Sequence, residues 1–210
     1  MKDRLDLWTG EFGDAYHERN LLSRYDIEDR AKWLRQVLAR LPLPDIKSAL
    51  EVGCGNGANL RALSIACVDM GIEGVILVGA EPNKAACARA ALAPRAVIYN
   101  RAVTGLQGFN DGFADLAMTC GVLIHIPDEG LPGAMAEIHR VAKRFILCAE
   151  YYGRTVEVVP YRGEDGALWR RPYGDLWLEQ FPDLKPLAQG FAWRRTTGLD
   201  DLTFFLFEKP

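Results

Sequence analysis

Residues 23 to 41, SRYDIEDRAKWLRQVLARL, place Tyr25, Ile27, Trp33, Leu34, Val37, Leu38 and Leu41 near a 3.6-residue period. That spacing predicts an amphipathic helix with Ser23 as an available cap, stopped by Pro42 and Pro44. Beyond it the period changes repeatedly. KSALEV reads as a short strand closed by the loop GCGNG, and ANLRALSIACVDMG has helical spacing. GVILVGAEPN is a β-rich run ending at Glu81, followed by the helical NKAACARAALA up to Pro94. AVIYNRAV predicts a short strand, FADLAMTCGVLIHI a buried strand near 115 to 120, residues 130 to 142 a helix, and RFILCAEYY another buried strand. Strands that are almost wholly apolar, alternating with helices, predict an α/β fold: a parallel sheet covered on both faces. The end of the chain differs. Residues 151 to 185 are rich in Tyr, Trp, Arg and Gly, and FAWRR and LTFFLFEKP are β-type runs separated by TTGLDD. With no helix between them, a terminal antiparallel hairpin is expected.

Bulk properties narrow the class. At 210 residues the chain suits one good core, and a net charge of -3 provides no general field for nucleic acid or an anionic membrane. The polar N-terminus lacks the apolar run of a secretory signal, and no stretch approaches the ~20 apolar residues of a membrane span. Five cysteines without CxxC spacing predict reduced thiols, no metal site and a cytoplasmic location. Monomer and homodimer are both compatible with the sequence.

The candidate chemistry starts at ALEVGCGNG, residues 49 to 57, where a strand meets a helix. Gly53, Gly55 and Gly57 let the backbone approach a ligand, but Gly53, Gly55 and Ala58 also fit a loose dinucleotide fingerprint. Glu51 separates the two. A carboxylate on this lip repels a pyrophosphate and favours S-adenosylmethionine, which has no phosphate and carries a sulfonium and an ammonium. Glu81, ending the next strand, can accept from both ribose hydroxyls in either case.

EVGCGNG, Glu81 in LVGAEPN, and ADLAMTCGVLIHIPDE resemble the ordered motifs of class I S-adenosylmethionine-dependent methyltransferases. The resemblance implies a Rossmann-like, mostly parallel seven-stranded sheet with an antiparallel C-terminal hairpin strand and helices on both faces. It implies that Glu51, Gly53, Gly55 and Gly57 meet the amino-acid end of the cofactor and Glu81 its ribose. Asn83, Asn100, Arg101, Ala102 and Cys120 complete that expected site, with Asn-Arg-Ala standing where the family has an acid and a small residue beside adenine. LWTGEFGDAYHERN, GVLIHIPDE, EYYG and PYRGEDGALWRRPYGDLW are similar to pseudaminic acid biosynthesis-associated methylases. That resemblance implies an N-terminal lid over residues 1–44, bringing Trp8, Tyr16 and Arg19 to the cofactor. It further implies a cofactor-binding core over 45–150, a substrate-side insert over 151–189 and terminal strands over 190–210.

On the acceptor side His125 is the candidate base, because imidazole titrates near neutrality; a packing role between Ile124 and Ile126 is the plain alternative. Tyr16, Tyr151, Arg162 and Trp169 are the other candidate acceptor contacts. Arg162 is favoured because a guanidinium binds a carboxylate through two hydrogen bonds. The expected activity is O-methylation of a carboxylate or hydroxyl on a small, polar, anionic metabolite, yielding S-adenosylhomocysteine. N-methylation of a small amine, a nonenzymatic cofactor-binding module and a nicotinamide oxidoreductase stay open.

Overall fold

The computed structural model describes residues 4–41 and 46–210, without the side chains of Arg4, Glu164 and Asp165; Pro42, Pro44 and the boundary at 44/45 lie outside the described residues. Two short helices, α1 (Arg4–Thr9) and α2 (Glu11–Arg19), lead into α3 (Arg24–Leu38). The N-terminus of α3 carries a reciprocal cap. The Asp26 N–H donates to Ser23 Oγ at 3.3 Å, and the Ser23 N–H donates to the Asp26 carboxylate at 3.0 Å. This satisfies two N–H groups that a helix start leaves unpaired. Leu34, Val37 and Leu38 are buried as the period requires, whereas Tyr25 is 77% exposed.

The core then alternates β1 (Ser48–Val52), α4 (Ala58–Asp69), β2 (Ile76–Ala80), α5 (Lys84–Ala90) and β3 (Ala96–Tyr99). It continues through β4 (Ala114–Cys120), a 3-10 turn at Leu123–His125, α6 (Leu131–Val141) and β5 (Ala142–Glu150). A two-stranded hairpin follows, β6 (Glu157–Tyr161) and β7 (Glu164–Arg170), then α7 (Tyr173–Gln180), β8 (Lys185–Ala192), the single turn α8 (Arg194–Thr197) and β9 (Leu202–Glu208).

Seven strands form one sheet in the order β3-β2-β1-β4-β5-β9-β8, with β6 and β7 paired separately. β1 to β5 are parallel, and β9 runs antiparallel to both β5 and β8. The sheet is therefore the expected one, including its reversed last strand. β8 starts at Lys185, ahead of the expected boundary at 190, because Lys185 already pairs with Glu208. On one face Trp33, Leu34 and Leu63 pack on Leu77, Leu116 and Phe145. On the other, Met135, Ile138 and Trp177 cover Leu50, Val78 and Phe207. β1 lies where the strand order reverses direction, so a crevice opens at its carboxyl end.

Candidate active site

A cavity of about 640 Å³ occupies that crevice, within the ~300–1,000 Å³ of small-molecule sites. Its floor is the loop after β1. Gly53 sits at φ +73, and a Cβ there would stand 2.4 Å from the Val122 side chain, so only glycine fits. Gly55 also lines the cavity, but Gly57 does not; a Cβ on Gly57 would meet Ala90 of α5. Gly57 is thus a packing residue, a correction to its expected ligand contact.

Glu51 projects into this end and is 1% exposed. Its Oε1 accepts from Asn59 Nδ2 at 2.6 Å, and its Oε2 has no partner among the described residues. Burial pushes the carboxyl up to about 8, against the opposing pull of Asn59 and Arg30. Arg30, from α3, donates through Nη1 to Asn59 Oδ1 at 2.7 Å and through Nε to the Gly198 carbonyl at 2.8 Å. Asn59 therefore bridges an acid with one idle oxygen to a guanidinium whose Nη2 has no acceptor among the described residues. Arg30 and Asn59 were missed from the sequence, although Arg30 interrupts the inward stripe of α3 between Ile27 and Leu34. Arg19, the guanidinium expected here, is exposed on α2 and does not line the cavity. The helix turns it away from the sheet.

Glu81, at the end of β2, accepts the Gly55 N–H through Oε2 and the Asn83 N–H through Oε1, both at 2.9 Å. Burial raises its pKa as well. His17 Nε2 lies 3.7 Å from Glu81 Oε1, but burial and the nearby Arg89 depress His17 to about 4, so the ring is neutral at neutral pH. Asn83 is fully buried and off the cavity. Its Oδ1 caps α5 by accepting from Ala86, and its Nδ2 donates to the Trp8 carbonyl and the Asp14 carboxylate. Asn83 is thus a latch for the N-terminal helices rather than a ligand contact. Asn56 provides a second latch, donating to the His17 carbonyl at 2.7 Å. Asn100 spends its amide on the Glu81 and Pro82 carbonyls, and Arg101 turns outward to the Gly105 carbonyl; only Ala102 of that trio lines the cavity.

Across the cavity lie Cys120, Val122 and His125 from the end of β4, with Trp8 and Tyr16 from the N-terminal helices. His125 Nδ1 is 2.7 Å from the Ala167 carbonyl of β7, which fixes that nitrogen as the protonated one. Nε2 is left as an acceptor. Burial lowers its pKa to about 4 despite the Ala167 bond, so the ring is a neutral acceptor and a weak base. The turn bearing His125 is gripped from both sides. Glu150 accepts the Val122 and Ile124 N–H groups, and Arg171 donates to the Leu123 carbonyl and to Asp128. Arg171 is fully buried and escaped the sequence reading, which favoured Arg162 from the same segment.

Two expected acceptor contacts are corrected. Arg162 sits exposed at the tip of the β6–β7 hairpin at φ +50, its guanidinium 5.7 Å from the Tyr161 ring. The hairpin carries it away from the cavity. Trp169 is buried within β7 with the Arg171 guanidinium 4.9 Å from its ring, so it packs rather than binds. Tyr151 reaches the site indirectly, donating its hydroxyl to Asp200 at 2.7 Å, and Asp200 lines the cavity.

The strand order, the crevice at the switch point and the glycine loop define the Rossmann-like fold of class I methyltransferases. Residues 50–145 match the family model described as a methyltransferase domain. A Leishmania major S-adenosylmethionine-dependent methyltransferase superimposes with a TM-score of 0.71 at 15% identity, over 99% of this chain and 87% of that one. Magnesium protoporphyrin IX methyltransferase from Synechocystis, with S-adenosylmethionine bound, gives 0.69 at 14% identity, over 100% and 99% of the two chains. The 1,6-didemethyltoxoflavin-N1-methyltransferase of Burkholderia thailandensis, with its substrate and S-adenosylhomocysteine bound, gives 0.67 at 15%, over 95% and 85%. At these identities the likeness is one of fold, and the acceptors in these structures differ widely. No curated protein matches the chain.

Proposed function

We propose that this protein transfers a methyl group from S-adenosylmethionine to a small polar molecule. The observation that carries the reading is the Glu51–Asn59–Arg30 array. An amino-acid end presents an ammonium and a carboxylate together, and here an idle buried carboxylate oxygen and a guanidinium whose Nη2 has no acceptor among the described residues stand on one bridging amide. A pyrophosphate has no group for Glu51 to accept from. Glu81 would take the ribose hydroxyls, and the Gly53–Gly55 backbone would lie along the amino-acid arm.

When bound, the cofactor supplies an electrophilic methyl carbon on a sulfonium. The chain then has to hold the acceptor in line, exclude water and manage at most one proton. Trp8 and Tyr16 close the wall over the site, and the grip on residues 122 to 125 fixes His125. Its unprotonated Nε2 accepts a hydrogen bond from the acceptor and orients it; a pKa near 4 suits that role better than holding a full proton.

The terminal motifs' similarity to pseudaminic acid biosynthesis-associated methylases supports a small metabolite as acceptor. An anionic O-acceptor drew on that similarity and on Arg162; Arg162 lies off the cavity, so the atom methylated is argued below from the charge of the wall. Calorimetry tests the cofactor assignment: S-adenosylhomocysteine should bind with micromolar or tighter affinity, and Arg30→Ala and Glu51→Ala should each weaken it by about tenfold or more. Binding of NAD with no response to S-adenosylhomocysteine would overturn the reading.

A further inference from the structure

Once Arg30, Glu51 and Glu81 are assigned to the cofactor, the charges left on the cavity wall share one sign. Arg30 is the one lysine or arginine among the described lining residues, and Glu129 and Asp200 line the same cavity without an ion pair among the described residues. No arginine of the insert compensates. Arg162 is exposed at the hairpin tip, Arg170 pairs loosely with Glu157 at the surface, and Arg171 is committed to Asp128.

Trp8, Tyr16 and His125 give this wall its rings, with centroids 5.2 Å apart for Tyr16 and Trp8 and 4.4 Å for Trp8 and His125. Phe12 and Tyr161, off the cavity, close a circuit behind Trp8 and His125: His125 to Tyr161 at 5.3 Å, Tyr161 to Phe12 at 6.4 Å, and Phe12 to Trp8 at 5.5 Å. Ring faces carry negative potential and attract cations. Burial, with Tyr161 and Asp200 nearby, raises the Tyr16 pKa and keeps its hydroxyl neutral. Tyr151 satisfies one Asp200 oxygen, leaving Oδ1 for a ligand.

Electrostatics now chooses between acceptors. A carboxylate would approach a wall on which the exposed Glu129 and Asp200 add two carboxylates and no spare cation. A neutral nucleophile ends the reaction positively charged, and a carboxylate beside it lowers the energy of that developing charge. We propose that the acceptor is a small amine, which attacks from the Trp8–Tyr16–His125 side of the cavity with Asp200 stabilising the charge that methylation places on its nitrogen. The inference rests on the methyltransferase reading above. The amine is active as its free base. Its lone pair forms the N–CH3 bond as the S–CH3 bond breaks; that electron pair stays on sulfur, leaving a neutral thioether, and the positive charge passes to nitrogen. The methylated ammonium then gives one proton to water by way of Asp200.

The test is calorimetric titration of the protein loaded with S-adenosylhomocysteine, using phenethylammonium and its acid counterpart 3-phenylpropionate. Phenethylammonium should bind at least tenfold more tightly. Asp200→Asn, which keeps the bond to Tyr151, should erase that preference and leave the affinity for S-adenosylhomocysteine unchanged. Equal or tighter binding of the acid overturns the proposal. So does failure of both probes at millimolar concentration, or a preference that survives Asp200→Asn. Failure of S-adenosylhomocysteine itself to bind instead removes the methyltransferase reading.

Discussion

Glu51 near neutral pH is a protonated acid waiting for a cation. With its pKa raised to about 8 by burial, it must release its proton when an ammonium arrives. Calorimetry of S-adenosylhomocysteine between pH 6 and 8 should therefore show proton release, as an apparent enthalpy that tracks the ionisation enthalpy of the buffer. Affinity should climb as the pH approaches 8, at most by the ~1.4 kcal/mol per unit of linkage. Glu51→Gln should remove both effects. His125 makes a contrasting prediction. His125→Ala should lower turnover of an accepted amine by about 10²-fold while the affinity for S-adenosylhomocysteine stays level, measured with a labelled methyl group and by calorimetry. Full turnover in that variant would restrict His125 to packing. Glu51, Gly53, Gly55 and Glu81 were legible in the sequence because strand–glycine–helix order places them without knowledge of distant contacts. Arg30 and Asp200 were not, since helix α3 and the loop before β9 reach the crevice only through tertiary packing.

At the scale of elements, the N-terminal helices are held by two asparagine latches that also shape the floor of the site. Asn83 caps α5, supports Glu81 through its backbone, and anchors Trp8 and Asp14 through its side chain. Two variants separate these jobs. Asn83→Asp retains a capping oxygen but sets acceptor against acceptor at Trp8 and Asp14, so it should speed dissociation of S-adenosylhomocysteine with modest loss of stability. Asn83→Ala loses the cap too and should cost about 1 kcal/mol or more in urea unfolding. Equal dissociation rates in wild type and Asn83→Asp would show that α1 and α2 do not gate the ligand. The alternation of strand and helix was readable because the central strands β1, β4 and β5 are largely buried and largely apolar. The insert was not: β6 is half exposed, its hairpin turn uses Arg162 and Gly163 at positive φ, and its arginines divide between solvent and a buried pair with no local cue to which is which.

For the whole molecule, buried titratable groups set how stability varies with pH. His17, His125 and His139 sit near 4, so the unfolded chain takes up protons that the native state refuses. Their contribution is present above about 6.5 and lost as the pH falls toward 4. Glu51 and Glu150 are raised to about 8 and about 7, so their contribution is present below about 4.3 and lost as the pH rises through those values. Above about 6.5 only the glutamates still act. The ligand-free protein should therefore lose melting temperature from pH 6.5 to 8 in scanning calorimetry, and Glu51→Gln should flatten that slope.

The bridge of Asn59 between Glu51 and Arg30 also bears on competition inside a cell. Nucleoside thioethers such as methylthioadenosine share the adenine, the ribose and the sulfur of the natural ligands but have no amino acid. They would satisfy Glu81 while leaving the second oxygen of the buried Glu51 unmet, a penalty of about 1–3 kcal/mol, and giving the Arg30 guanidinium no carboxylate. Selectivity among sulfur-bearing adenosines would thus be set at the far tip of the molecule, away from the methyl group, and salvage intermediates would not clog the enzyme.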